Sequence, residues 1–170
     1  MVDDKNSKRK IIVGLLVLFI FIGGAGAWTY SHRYISPVPK SAQESVSFPV
    51  YYPDQNKLPL GYTFNLGSFS NPRKDVLLYA VDYSVGKKIV ISLQKKPSVD
   101  QINKFYLAFI PLTNQVNLPL GQARIGITSN QPDQKTIVSL PTNDGVWIIA
   151  TAPVGVDQKQ LNQVMSSLRE

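Results

Sequence analysis

Few side chains in this chain of 170 residues could carry out catalysis. The chain has no cysteine, which excludes a disulfide framework, a thiolate metal site and a cysteine nucleophile. Its single histidine, His32, lies near the N-terminus, outside the predicted folded domain. A Ser-His-Asp hydrolase needs its histidine inside a folded pocket, and histidine-based zinc sites need several imidazoles. The sequence therefore predicts no hydrolase of this kind, no metal site and no cofactor.

Carboxylates are the remaining candidate acids and bases. Most of those in the C-terminal part fall where turns or helix starts are predicted, namely at Asp54, Asp75, Asp133, Asp144 and Asp157. Turns and helix caps account for aspartate at such positions. Asp82 differs because it lies inside a predicted strand. No two acids occupy paired strand positions, so no catalytic residue is predicted, and an enzyme built on these carboxylates stays open as an alternative.

Aromatic side chains provide one candidate binding feature. Tyr51 and Tyr52 stand between Pro49 and Pro53, ahead of the first predicted strand. Tyrosine has an apolar ring and a polar tip, so it serves both in cores and at binding surfaces. We therefore take Tyr51 and Tyr52 as the candidate interaction surface, with core packing as the alternative.

The basic residues are scattered. The net charge is +7, and lysine or arginine occurs singly or in pairs such as Lys95-Lys96. Nucleic-acid binding would require a basic stripe or a recognisable fold. The sequence therefore predicts no nucleic-acid partner, and its charge suits an anionic surface such as a lipid bilayer or a cell wall.

The elements that position these residues begin with a hydrophobic N-terminal segment. From Ile11 through Leu18 to Trp28 the chain carries no charge. A helix of this length is roughly 27 Å long, close to the thickness of a bilayer core. Lys5, Lys8, Arg9 and Lys10 precede it, which predicts a cytoplasmic tail at 1–10 and a transmembrane helix at 11–30. The following domain would then be extracytoplasmic.

A cleaved signal peptide is the alternative interpretation of this segment. The basic start, the apolar stretch and Ala25-Gly26-Ala27 fit that pattern, with cleavage after Ala27. Either interpretation places the rest of the chain outside the cytoplasm. We favour the uncleaved anchor in the plasma membrane, because the apolar segment is long and an aromatic pair follows it.

Beyond the anchor the sequence predicts a linker at 31–49 and an α+β domain at 50–170. Prolines in the linker favour an extended spacer. Alternating apolar residues then predict strands, with a hairpin turn at Ser84–Lys87. The segment 145–151 is apolar on both faces, which predicts the central strand. The predicted strands cover about 62–66, 76–83, 89–93, 123–127, 137–140 and 145–151.

Two segments have helical spacing. Ser98 and Gln101 form a capping-box pattern, and Val99, Ile102, Tyr106 and Phe109 would share one face of the helix. A second helix is predicted after Asp157, with Gln160 completing its cap and an apolar stripe at Leu161, Val164, Met165 and Leu168. The element order βββαβββα with hairpin connections predicts an antiparallel α+β domain with a packed C-terminal helix.

The chain resembles a known group of extracytoplasmic domains. The segments Phe48-Pro49-x-Tyr51-Tyr52-Pro53, Leu58-Pro59-x-Gly61-Tyr62 and Gly121-x-Ala123-x-Ile125-Gly126, followed by Trp147 and a closing capped helix, resemble DUF4367-type domains over about 48–169. The resemblance implies a bacterial membrane-anchored protein. That family has no agreed activity, so it assigns no catalytic residue. Its anti-sigma members have a longer cytoplasmic part than the ten residues here.

These features predict a non-enzymatic envelope protein whose outward domain binds or senses another envelope protein, a peptide or a wall component. Two alternatives stay open. One is an envelope hydrolase or transferase, which would show a deep pocket with two carboxylates. The other is a structural component of a surface assembly, which would show exposed, unpaired edge strands.

Overall fold

The computed structural model describes residues 36–109, 113–128 and 134–170. The predicted cytoplasmic tail and transmembrane helix, with Ile11, Leu18 and Trp28, lie outside the described residues. Among the helices that the structure does describe, none has the length and apolar character to cross a bilayer. Residues Pro37–Glu170 form one compact unit, and this unit is the subject of the paragraphs that follow.

The unit contains helices and strands in the following order along the chain. The first half comprises α1 (Lys40–Glu44), β1 (Tyr52–Pro53), a 3-10 turn (Gln55–Lys57), β2 (Thr63–Arg73), β3 (Val76–Ser84) and β4 (Lys87–Lys95). The second half comprises α2 (Val99–Phe109), β5 (Thr113–Leu118), β6 (Gly121–Ile127), β7 (Lys135–Pro141), β8 (Val146–Pro153), α3 (Gln158–Ser166) and β9 (Leu168–Arg169).

Seven strands form one antiparallel sheet in the order β2-β3-β4-β8-β7-β6-β5. β8 is the fourth of the seven, so the prediction of a central strand at 145–151 is confirmed. On one face of β8 Val146, Ile148 and Ala150 have no exposed surface, and on the other face Trp147 is 6% exposed. α2 connects β4 in the middle of the sheet to β5 at its edge, and the chain then returns by hairpins to β8.

The predicted hairpin between β3 and β4 is confirmed. Ser84 pairs with Lys87, which leaves Val85 and Gly86 as the two turn residues. Gly86 has a φ of 72°, a conformation that glycine adopts without the steric cost of a Cβ. The pair keeps one register from Val76 opposite Gln94 to Asp82 opposite Lys88, and an irregularity between Asp82 and Ser84 shifts the register next to the turn.

The larger core lies on the face of the sheet that α3 covers. Asp157 accepts a hydrogen bond from the backbone N–H of Lys159 at 2.9 Å and so caps α3 as predicted. Gln160 does not complete the cap; its side chain accepts a hydrogen bond from the Tyr62 hydroxyl at 3.0 Å. The predicted apolar stripe is fully buried at Leu161, Val164 and Met165, and Leu168 is buried in β9 just beyond the helix.

The opposite face carries α2 over a smaller core. Ile102 and Tyr106 of α2 pack with Ile137 and Trp147 of the sheet. Ser139, buried between them, accepts a hydrogen bond from the Trp147 indole N–H at 2.7 Å and lies 3.1 Å from the Tyr106 hydroxyl oxygen. The sheet therefore separates two cores, because successive side chains of a strand point to opposite faces.

The prediction of an extended linker at 31–49 is wrong for the described residues of that range. α1 lies within it, and Val38 and Ala42 are buried in the main core. Ser47 donates two hydrogen bonds to the Asp75 carboxylate, from its backbone N–H at 3.2 Å and from its hydroxyl at 3.1 Å. The prolines do not prevent this, since proline is tolerated immediately before a helix. The folded unit begins at Pro37.

The antiparallel α+β class is confirmed, with elements that the predicted order βββαβββα omitted. β5 is an additional edge strand, and α1 is an additional helix. β1 and β9 form a separate two-stranded pair, in which Tyr52 lies opposite Arg169 and Pro53 opposite Leu168. This pair joins the two ends of the folded unit.

Candidate functional site

Tyr51 and Tyr52, the predicted interaction surface, are core residues and do not line a surface groove. They are 7% and 1% exposed. Tyr52 stacks on Phe64 with ring centroids 6.5 Å apart, and the backbone carbonyl of Tyr51 accepts a hydrogen bond from the buried Tyr79 hydroxyl at 2.9 Å. Both rings belong to the main core, which corrects the prediction from the flanking prolines.

The polar end of Tyr51 has a structural role. Its hydroxyl donates to a carboxylate oxygen of Asp144 at 2.5 Å, and the other carboxylate oxygen accepts from the Thr142 hydroxyl. Burial raises the pKa of Tyr51, and the bond to Asp144 raises it further. Burial alone would raise the pKa of Asp144, but hydrogen bonds from Thr142, Tyr51 and the backbone outweigh it, so this pKa is lowered. Asp144 therefore stays ionised at neutral pH and ties the β7–β8 turn to the residue just before β1.

Asp54 and Asp82, two other carboxylates considered as candidates, also form hydrogen bonds, and they lie in separate parts of the unit. Asp54 caps the 3-10 turn through the backbone N–H of Asn56 at 3.1 Å and lies 3.2 Å from the Arg169 guanidinium. Asp82, half-buried in β3, accepts a hydrogen bond from the Asn65 amide at 2.8 Å. Among the described residues, no group of three or more His, Cys, Asp or Glu side chains could hold a metal ion. Asp133 lies outside the described residues.

A large cavity in the described part of the unit lies on the α3 face, at one end of β5, β6 and β7. Its volume is about 600 Å³, and it opens to solvent beside the turn that connects β8 to α3. We call it the sheet-end cavity. Gln158, the first residue of α3, is one of its lining residues. Ile127 and Val154 are 48% and 50% exposed at this place.

The lining of the sheet-end cavity combines aliphatic side chains with uncharged polar ones, and none of its described members is ionisable. They are Asn114, Ile125, Gly126, Ile127, Thr128, Gln134, Thr136, Val154, Gly155, Val156 and Gln158. Cavities of this size that combine apolar walls with a few hydrogen-bonding groups are typical of ligand-binding sites. The cavity can bind an apolar group of a ligand and form hydrogen bonds with amide or hydroxyl groups of the same ligand. Its described residues provide no general acid or base.

Sequence reasoning missed this cavity. Its lining comes from β5, β6, β7 and the β8–α3 turn, which are far apart along the chain. The one local signal was Val154-Gly155-Val156, an apolar turn directly before a capped helix. Such a turn is expected to be polar, so apolar residues there point to a packing partner or a ligand.

Comparison with known proteins adds no assignment. No protein-family model matches the chain, and no curated protein or solved structure matches it. The resemblance to DUF4367-type domains therefore remains a prediction.

Proposed function

We propose that this chain is a single-pass membrane protein of the bacterial envelope whose outward α+β domain binds a peptide segment in the sheet-end cavity. The observation that carries the proposal is the lining of the cavity. It is about 600 Å³ in volume, open, partly aliphatic and uncharged throughout its described residues. This composition favours binding over catalysis, since acid–base chemistry needs an ionisable side chain.

A peptide is the ligand class that fits the position of the cavity. Asn114, one of its lining residues, lies on β5, which is an edge strand of the seven-stranded sheet. An extended peptide can hydrogen-bond to an edge strand and place alternate side chains in neighbouring pockets. The amide groups of Gln134 and Gln158 on the other side of the cavity can pair with further backbone groups of the peptide.

The membrane location is supported by the N-terminal sequence. The uncharged segment at 11–28 and the basic residues before it favour a transmembrane helix with a cytoplasmic N-terminus. In this proposal the domain acts through a partner, either within the membrane or outside it, that carries the recognised segment.

The two alternative functions require different structural features. An envelope hydrolase or transferase would need free carboxylates that converge, whereas Asp54, Asp82, Asp144 and Asp157 are each engaged in a separate hydrogen bond or cap. A structural component of a surface assembly would use the edge strand β5 to pair with another copy of the chain. The experiment below distinguishes such self-association from binding of a different partner.

Because the chain has no cysteine, a single cysteine can carry a photo-crosslinker without a background signal. We expect an Ile127→Cys chain that carries a benzophenone maleimide to form one discrete crosslinked product in membranes of the producing cell. The Ile127 side chain lines the cavity and is 48% exposed. The product is measured by gel mobility and by mass spectrometry of the crosslinked peptide.

The matched control is Val85→Cys in the β3–β4 turn, where the side chain is fully exposed and lies outside the cavity. A peptide of another envelope protein attached at Ile127→Cys only would support the proposal. Attachment of a second copy of this chain would favour the assembly alternative. The same products from both positions, or none from Ile127→Cys, would contradict binding in the cavity.

A further inference from the structure

A second, smaller pocket lies on the opposite face of the sheet, beside α2. It has a volume of about 260 Å³ and is lined by two basic side chains, Lys96 and Arg124, with the amides of Asn103 and Gln122. Tyr106, Ile102 and Pro141 form most of its apolar wall. We call it the basic pocket. A space of this volume holds the equivalent of roughly nine water molecules, enough for one small charged group.

Arg124 is held in place by an aromatic ring. The central carbon of its guanidinium lies 4.4 Å from the centroid of the Tyr106 ring. The ring is itself fixed, because Tyr106 is 6% exposed and its hydroxyl contacts the buried Ser139. A guanidinium stacked in this way keeps its N–H donors directed outward in the plane of the group. Arg124 is therefore oriented before any ligand binds.

Lys96 is positioned by the β7–β8 loop. Its ammonium group donates a hydrogen bond to the backbone carbonyl of Thr142 at 2.6 Å, which leaves two N–H donors for other partners. Both Lys96 and Arg124 are half-buried, so their charges are less screened than those of fully exposed basic residues.

The nearby acids do not neutralise these two charges. Asp100 of α2 forms an ion pair with Lys104 at 2.8 Å, and Asp144 is held by Tyr51 and Thr142. Within the described residues, no ion pair joins a carboxylate to Lys96 or Arg124. Two oriented, half-buried cations that line the same pocket can both donate charge-assisted hydrogen bonds to one oxyanion.

We propose that the basic pocket binds a phosphate group. The fork of the guanidinium, the remaining donors of Lys96 and the amides of Asn103 and Gln122 supply more donors than the two oxygens of a carboxylate can use. A phosphate monoester offers three terminal oxygens and about −1.5 to −2 charge at neutral pH, which matches two basic residues. This inference does not depend on the sheet-end cavity, which lies on the other face.

The test uses the full chain, uniformly labelled with ¹⁵N, in maltoside micelles. The chain contains five arginines, so its spectrum holds five side-chain Nε–H signals, and the signal of Arg124 is identified by its loss in Arg124→Lys. We expect inorganic phosphate to shift this signal saturably at constant ionic strength, while the signal of Arg73 stays in place. Sodium chloride at the same ionic strength is the reference.

Substitutions then separate binding from general charge effects, with the affinity followed on the backbone amide signals of α2. Arg124→Gln is expected to weaken phosphate binding about 10- to 100-fold, because charge-assisted hydrogen bonds are lost. Lys96→Gln is expected to weaken it about tenfold. Lys95→Gln, which removes the adjacent but exposed lysine, should leave the affinity unchanged within about twofold. The dispersion of the amide spectrum shows that each variant is folded.

The source of the phosphate is distinguished by two further titrations. A shift of the Arg124 signal when phosphatidic acid, whose headgroup is a phosphate monoester, is added to the micelles, and none with phosphatidylcholine, would assign the site to anionic lipid headgroups. A response to glycerol phosphate but to neither lipid would assign it to soluble phosphates. The proposal is overturned if phosphate acts no differently from chloride, if acetate binds more tightly than phosphate, or if Lys95→Gln has the same effect as Lys96→Gln.

Discussion

Replacing Trp147 by alanine is expected to lower the free energy of unfolding by about 3–5 kcal/mol. Trp147 lies on the central strand β8, is 6% exposed, and its ring meets that of Phe105 edge to face with centroids 5.0 Å apart. Its removal leaves a large space between α2 and the sheet. The substitution also removes the hydrogen bond that the indole N–H donates to the buried Ser139 hydroxyl. The loss of packing and the loss of this hydrogen bond therefore add to each other.

Urea denaturation followed by circular dichroism measures this effect. The control is Leu107→Ala on α2, where the side chain is 77% exposed, and it should change the stability by no more than about 0.5 kcal/mol. Trp147→Phe should fall between the two, because it retains most of the ring contact but loses the N–H donor. A change of less than about 1 kcal/mol in Trp147→Ala would show that α2 is not packed on the sheet in this way.

Replacing Ala42 by aspartate is expected to destabilise the unit by ~3 kcal/mol. Ala42 lies on α1 within the range that the prolines mark as a linker, yet it is 5% exposed and belongs to the main core. A carboxylate at this position must either be buried without a partner or force α1 away from the core. In an extended linker the same substitution would have almost no effect.

The neighbouring exposed position provides the control for this substitution. Ser41→Asp adds the same charge one residue earlier on the solvent side of α1, and its stability should stay close to that of the unchanged chain. Equal stability of Ala42→Asp and Ser41→Asp in urea denaturation would restore the linker interpretation and move the start of the domain toward residue 50.

The pattern of apolar residues predicted the strands that are buried on one or both of their faces. Alternation in β3 and β4 defines the side of the sheet that meets α3, and the uninterrupted apolar character of β8 defines its central place. In contrast, β5 reads Thr-Asn-Gln-Val-Asn-Leu and was not predicted, because an edge strand with few core contacts needs little apolar alternation. Local periodicity carries no information on such a strand.

Long-range pairings explain the errors at Tyr51 and Tyr52. The sequence around the two tyrosines does not indicate that Tyr52 pairs with β9, more than a hundred residues later. The predicted face of α2 illustrates a related limit. Ile102 and Tyr106 are buried, but Val99 at one end of the helix is 74% exposed. A helix of eleven residues contacts the sheet only along part of its length, which its period alone does not reveal.

The two candidate sites could not be predicted from the sequence either, because each is formed by residues that are distant along the chain. The sheet-end cavity draws on four separated segments, and the basic pocket joins Lys96 to Arg124 across α2 and β5. Arg124 gave a partial signal, since a basic residue between Ala123 and Ile125 interrupts an apolar strand. The ring that orients its guanidinium comes from α2, and only the folded arrangement brings the two together.

The most direct test of the account is the sidedness of the chain in the membrane. Single cysteines are introduced by Val85→Cys in the folded domain and by Ser7→Cys in the N-terminal tail, and spheroplasts are treated with a membrane-impermeant maleimide. We predict that the Val85→Cys chain is labelled in intact spheroplasts and sediments at full length with the membranes, whereas the Ser7→Cys chain is labelled only after lysis. Labelling of the Ser7→Cys chain in intact spheroplasts while the Val85→Cys chain stays protected would contradict an outward-facing, membrane-anchored domain.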